Sequence, residues 1–309
     1  HQDKIPLEVT IFDSSGFGGG ASGIAAGLLH PFSGLHAKLN RFGWEGYEET
    51  SLLLDAAKKA LNSQVFSSSP LLRIALTKEQ QDDYLECSLK HTRVDFLKED
   101  ECQKLISYLS PHPGILIQDA KTIYPKPYLE GLFLACLALN AKFEQVQINN
   151  LKELDRFTHI IVAAGAGISL FKELQEIPFS FTKGQILELE WPNHLPPLPV
   201  ALNSKSYLIM SQDQKSCIAG ATFERNYTTK SPDQKKAEAE IMPKIEALIP
   251  ALKNAKIISC KTAFRVSSKN HLPFVEKINE RLFVFTGLGS KGLLYHSLYA
   301  KKLVKILTS

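Results

Sequence analysis

The sequence predicts an α/β fold: a doubly wound parallel sheet joined to a second, antiparallel-sheet domain. Short apolar runs end in acidic or small residues at three places. These are Val9-Thr10-Ile11-Phe12 before Asp13, Thr158-His159-Ile160-Ile161-Val162 before Ala163-Ala164-Gly165, and Leu282-Phe283-Val284-Phe285 before Thr286-Gly287. Such runs read as parallel strands whose C-terminal ends meet a ligand. Between Phe179 and Ala221 the apolar residues alternate or run in short stretches with turn residues between them, as antiparallel strands do.

In chain order, the strand ending at Asp13 is followed by a loop of little side-chain bulk, Ser14 to Pro31. Gly18, Gly20 and Gly23 spell G-x-G-x-x-G there, but His30-Pro31 breaks any helix the motif should open, and no strand ends near residue 40. The literal dinucleotide match is therefore rejected, and Asp13 is read as the acid at the end of a second strand, placed to accept hydrogen bonds from a ribose. That reading puts the first strand and its glycine fingerprint ahead of His1, so the working protein is expected to carry residues there.

From Arg41 to Leu61 the apolar positions recur at intervals of three and four, predicting an amphipathic helix. A strand over Leu71–Leu76, a polar helix over Lys78–His91, a helix over Asp100–Leu109 and a strand over Ile115–Ile117 read as an inserted region. Pro125 and Pro127 precede a helix over Tyr128–Leu139 that is apolar nearly all round, hence expected to be buried on several sides. A strand over Phe143–Ile148 and a continuous buried strand from Thr158 complete the predicted first domain as far as Gly167. Then come antiparallel strands over Phe179–Trp191, Val200–Met210 and Cys217–Ala221, a helix over Asp233–Leu248, and a final helix entered through Gly287 to Leu294.

The 309 residues suffice for one large or two medium domains, and 44% hydrophobic with 22% charged residues describes an ordinary globular chain. A net charge of +4 with interspersed signs does not argue for a nucleic-acid partner. The five cysteines have no C-x-x-C spacing and are an odd number, so reduced, buried thiols are the simplest reading, and Cys260 is read as core. No apolar run approaches a membrane span, no metal-ligand spacing is visible, and the expected location is the cytoplasm.

Ala21-Ser22-Gly23, then Ala26-Gly27-Leu28-Leu29-His30-Pro31, resembles the D-amino-acid oxidase superfamily of FAD-dependent oxidoreductases, with further matches in register along nearly the whole chain. Gly287-Leu288-Gly289-Ser290-Lys291-Gly292-Leu293 resembles the GLGSRGL-like string in the oxidoreductase half of the bifunctional tRNA wobble-uridine enzyme, with Lys291 in place of its Arg. The resemblance implies an FAD-binding, Rossmann-like domain over residues 1–66, 124–172 and 281–309, and a substrate domain over 67–123 and 173–280. It implies FAD contacts from Asp13, Ser14, Ser22, Ala25, Ala26, Gly27, Leu28, Val146, Ala163, Ala164, Gly165, Gly287, Gly289, Ser290, Lys291, Gly292 and Leu293. Lys183-Gly184-Gln185 and Gly220-Ala221-Thr222-Phe223-Glu224 stand where relatives carry similar signatures.

By the same resemblance Arg265 binds a substrate carboxylate, because a guanidinium makes two parallel charge-assisted hydrogen bonds to that group. Tyr207 and His30 are further candidates for the pocket wall, and His271 a weaker one. The implied reaction is hydride transfer from a C–N carbon to flavin N5, followed by hydrolysis of the imine, with positioning as the main catalytic device. The substrate is a small amino acid or amine carrying a carboxylate, or else the carboxymethylamino group of a tRNA base. A non-catalytic flavin-binding subunit is the reading from another class. The oligomeric state is left open.

Overall fold

A computed structural model describes residues 7–308. Its largest feature is an eight-stranded sheet in the order Ile257–Ser267, Ser180–Glu190, Ser216–Gly220, Tyr207–Met210, Ala201–Asn203, Leu71–Ile74, Gly114–Ile117, Val94–Leu97. All neighbours are antiparallel except Ala201–Asn203 beside Leu71–Ile74. The segment read as an insertion thus supplies strands to this same sheet.

Side chains alternate across a strand, and here the two faces have different jobs. Leu187, Leu189, Leu202, Leu208 and Ala219 join a core with Ile241, Met242 and Ile245 of the helix Gln234–Glu246. Leu71, Ile115, Ile117, Ala201 and Ile209, on the other face, pack with Phe32 and Tyr84. Tyr207, Gly184 and Ile186 share that second face nearer the first strands and turn toward a cavity.

The parallel part of the fold comes as two ladders. Thr10–Phe12 pairs with Lys142–Glu144, and Ile160–Val162 pairs with Leu282–Thr286, to which Phe274–Lys277 adds antiparallel. Among the described residues the two ladders are not hydrogen-bonded to each other. The strand expected ahead of His1 lies outside the described residues.

Helix α1 (Gly43–Leu61) is the structural pivot beside the cavity, and α2 is Lys78–Lys90. Helix α1 buries Gly43, Gly46, Thr50, Leu54 and Ala57, one stripe at helical spacing. Two glycine contacts bring its neighbours to backbone distance: a Cβ on Gly46 would sit 2.3 Å from Leu294 O, and one on Gly131 would sit 2.4 Å from Ala57 O. These neighbours are α3 (Pro125–Ala138) and α4 (Gly292–Thr308). Thr50 Oγ1 donates to Leu293 O at 2.9 Å and Ser297 Oγ to Glu49 O at 2.8 Å, so the first turn of α4 is pinned to α1.

Three expectations are corrected. Helix α3 is not buried on several sides: only Tyr128 and Gly131 are fully buried, Phe133 packs on Phe17 and Phe143, and Leu134 and Leu137 reach solvent. The strand over 158–167 is shorter, Ile160–Val162. It is not continuously buried, since Ile161 alternates outward and is 45% exposed. Residues 200–210 form two strands, with a turn at Ser204 to Ser206 that lets the chain reverse.

Candidate active site

A cavity of about 570 Å³ opens between the second face of the large sheet and the ends of the parallel strands. That is an ordinary size for a cofactor or substrate cleft. One wall is the small-residue passage Ala21 to Leu28, another is Gly287 to Leu294, and Arg265, Tyr207 and Gly184 close it from the sheet.

The passage begins as a single 3-10 turn, Ala21–Ile24, followed by the two-residue strand Leu28–Leu29, so no helix opens after the glycine triplet. Gly27 has φ +81, and a Cβ there would fall 1.9 Å from Ile123 O. Only glycine lets this segment cross the strand Lys121–Ile123 so closely. Opposite, Gly289 N donates to Val266 O at 2.7 Å, and Ser267 bridges Leu288. These two contacts stitch the loop before α4 onto the end of the strand that carries Arg265. The first N–H groups of a helix have no partner within it, and together they favour negative charge. Gly292, the first residue of α4, therefore brings such a terminus to the cavity beside Arg265.

Arg265 Nη1 donates to Thr222 O at 3.3 Å, and the guanidinium lies against Gly184, where a Cβ would be 2.5 Å from Nη2. Burial acts against its charge, but a guanidinium stays protonated in proteins. The Tyr207 ring lies over Gly220, whose Cβ would meet the hydroxyl at 2.7 Å. Burial pushes this phenol up to about 12, against the opposing pull of Arg265, so it is a protonated donor at ordinary pH. His30 is pulled down to about 3, first by burial and then by the Arg73 charge, and it stays a neutral imidazole. Its Nδ1 is buried without a hydrogen-bond partner. Lys291 is half-buried beside Tyr295, and burial lowers its affinity for a proton. Tyr128 and His296 also reach the wall: His296 Nδ1 lies 3.0 Å from Gly292 O, which can only accept, so Nδ1 carries the proton and Nε2 accepts from Tyr128 OH at 2.7 Å.

Of the residues singled out in the sequence, Ser22, Ala25, Ala26, Gly27, Leu28, His30, Ala163, Gly165, Tyr207, Arg265, Gly287, Gly289, Ser290, Lys291, Gly292 and Leu293 line this one cavity. Asp13, Ser14, Val146 and Ala164 do not. Asp13 and Val146 follow paired parallel strands and so lie at one end of that ladder, where Asp13 Oδ1 accepts from Ser15 N at 2.8 Å. His271 is exposed, and Cys260 packs at the edge of the core beside Gln185. Asn203, Ile186, Tyr128 and His296 were not singled out. The first two are fixed by strand register and the last two by a contact 168 residues apart in sequence, so no local pattern announces them. Away from the cavity, His36, Glu79 and Asp83 gather within 4.8 Å: Glu79 and Asp83 stand one helical turn apart on α2, and the distant His36 joins them, with its Nδ1 2.5 Å from Asp83 Oδ2, a hydrogen bond between the Phe32–Leu39 hairpin and α2.

The wall suits a flat, anionic cofactor. An added Cβ on Gly165 or Gly292 would meet no protein atom within 4 Å, so both present bare backbone to open space, and the positive end of α4 is the natural seat for negative charge. The family model for FAD dependent oxidoreductases matches residues 2–306.

The chain belongs to the FAD dependent oxidoreductase family.

FAD is accordingly its cofactor, and the glycine passage, Gly165 and the α4 terminus are the residues that would hold it. Among curated relatives, the tRNA 5-methylaminomethyl-2-thiouridine biosynthesis bifunctional protein of Idiomarina loihiensis is 24% identical over 296 residues, covering 90% of this chain and 48% of that protein. The chain thus spans about half the length of that relative. An uncharacterized oxidoreductase of Bacillus subtilis is 29% identical over 163 residues, covering 48% of this chain and 41% of that protein. Glycine oxidase from Geobacillus kaustophilus superposes with a TM-score of 0.80 at 19% identity, over 97% of this chain and 87% of that one. Iminodiacetate oxidase from Chelativorans superposes with a TM-score of 0.78 at 17% identity, over 98% and 89%. At such identities the structural likeness speaks for the fold alone. No helix among the described residues is long and apolar enough to cross a membrane.

Proposed function

We propose that this oxidoreductase removes a hydride from the carbon of a C–N bond in an amino acid or secondary amine that carries a carboxylate. The observation that supports this most is the stitching of the α4 loop to Val266, which puts a half-buried guanidinium beside the cofactor wall. Arg265 holds the carboxylate and so orients the C–H bond. Tyr207, protonated, donates a hydrogen bond to the substrate, and His30, neutral, lines the pocket without adding charge. Bound FAD supplies the hydride acceptor. The substrate loses a hydride and its nitrogen a proton, giving an imine that water then hydrolyses to an amine and a carbonyl compound. Asp13, Ser14, Val146 and Ala164 serve the nucleotide end of FAD, beyond the cavity. Residues 1–66, 124–172 and 281–309 form the cofactor domain in this reading, with 67–123 and 173–280 as the substrate domain.

A second reading takes the carboxymethylamino group of a tRNA base as the substrate. It is favoured by the similarity of Gly287 to Leu293 to the tRNA enzyme's string, and by the 24% identity to the Idiomarina loihiensis tRNA biosynthesis protein. Both readings use Arg265 in the same way. Anaerobic mixing of the FAD-loaded protein with glycine, sarcosine, proline, D-alanine and the modified tRNA, followed at the flavin absorbance, separates them by which compound bleaches it. Bleaching by none would leave a flavin-binding subunit as the better account.

A further inference from the structure

Behind Arg265 lies a set of buried polar side chains that the reaction above does not use. Lys183 is 1% exposed, and its Nζ donates to Thr229 O at 3.0 Å and Ser231 O at 2.8 Å. Glu224 is 6% exposed. Its Oε1 accepts from Gln185 Nε2 at 2.8 Å and from Thr222 Oγ1 at 3.0 Å, while Oε2 pairs with Lys236 at 2.7 Å. Thr222 Oγ1 in turn accepts from Gln185 N at 2.9 Å, and Thr222 N donates to Gln185 O at 3.0 Å. Residues 222–224 are thereby laced to the strand Ser180–Glu190 through Lys183 and Gln185, just beyond the point where its partner Ser216–Gly220 ends.

The group this lacing fixes is the Thr222 carbonyl, the recorded acceptor for Arg265 Nη1. Gly184 completes the seat, since the guanidinium lies flat where its Cβ would stand. Apolar side chains of similar volume would hold a turn at least as firmly, because an ion pair with a half-exposed lysine adds little stability. What packing alone does not supply is the direction of a carbonyl. A carboxylate that meets three side chains in fixed geometry does.

From this arrangement we infer that Glu224 is a positioning residue for Arg265, acting through Thr222 to hold the guanidinium on Gly184 in the orientation a ligand carboxylate needs. The inference rests on Arg265 being the carboxylate site proposed above. Its consequence is selective: loss of Glu224 or of the Thr222 hydroxyl weakens recognition of a carboxylate and leaves recognition of an uncharged analogue as it was.

Calorimetric titration of the FAD-loaded protein with glycolate and with glycolamide tests this, with the bound flavin absorbance recorded alongside. Glu224→Gln and Thr222→Val should each raise the Kd for glycolate about tenfold, the scale of one misplaced hydrogen bond to a charged group. Glycolamide affinity and flavin content should not change, and Thr222→Ser, which keeps the hydroxyl, should bind glycolate like the parent. Unchanged glycolate affinity in Glu224→Gln and Thr222→Val, with Arg265→Ala still impaired, would overturn the inference while sparing the site. Equal losses for both ligands would also overturn it. Unchanged binding in Arg265→Ala would remove the site reading and this inference with it.

Discussion

The guanidinium of Arg265 rests on Gly184, and the contact makes position 184 sensitive to a single methyl group. Gly184→Ala places a Cβ 2.5 Å from Nη2, so the arginine must move; affinity for a small carboxylate should fall at least tenfold in a ligand titration, with FAD still bound. Arg265→Ala should cost about 2–5 kcal/mol of carboxylate binding. Arg265→Lys should not restore it, because an ammonium lacks the planar fork. His30 gives a prediction in pH. Its folded pKa of about 3 lies below the unfolded value of 6.5, so the unfolded chain binds the proton first as pH falls. This contribution is therefore complete above pH 6.5 and is lost as pH drops toward 3, at up to about 1.4 kcal/mol per unit. Urea unfolding at pH 7 and pH 5 should show a smaller loss in His30→Asn than in the parent; equal losses would contradict the assignment. That Arg265, Gly287 and Gly289 share one cavity wall was legible because each sits in a short motif. The bed beneath Arg265 was not, since it depends on the register that sets Thr182 opposite Arg265 across the sheet.

At the scale of elements, the entrance to α4 is held by close backbone approach as well as by the packing of Leu294 and Tyr295 against α1. Gly46 admits Leu294 O at a distance no Cβ tolerates, and Thr50 ties Leu293 O from the same face of α1. Gly46→Ala should therefore shift the first turn of α4, lowering stability by about 1–3 kcal/mol and lowering FAD occupancy with it. Thermal unfolding together with the ratio of flavin to protein absorbance checks both. Tyr128→Phe removes the donor to His296 Nε2 and strands a buried acceptor, so a loss of about 1–3 kcal/mol is expected in the same assay. Helix positions were readable from periodicity, and α1 begins and ends within two residues of where that periodicity places it. The exposure of α3 was not, because composition alone does not say how many faces of an apolar helix find a partner.

For the whole molecule, the cavity is where distinct parts of the fold meet: the passage after the first ladder, the end of the second ladder, and one face of the large sheet. A ligand that touches all three stabilises them jointly, so FAD at a hundredfold excess over its Kd should add about 2.7 kcal/mol to the unfolding free energy. The division into a parallel and an antiparallel part could be read from the sequence because small residues end the parallel strands and alternation marks the others. The way residues 71–117 join the antiparallel sheet could not, since pairing between distant strands leaves no local trace. In the proposed arrangement the isoalloxazine of FAD would lie between Ala21 to Leu28 and Gly287 to Leu293, with Arg265 holding the reductant opposite. A crystal structure of the FAD-loaded protein with glycolate tests it most directly. The ring is expected between those two segments, with the glycolate carboxylate paired with the Arg265 guanidinium; a ring elsewhere, or a carboxylate bound away from Arg265, would overturn this placement.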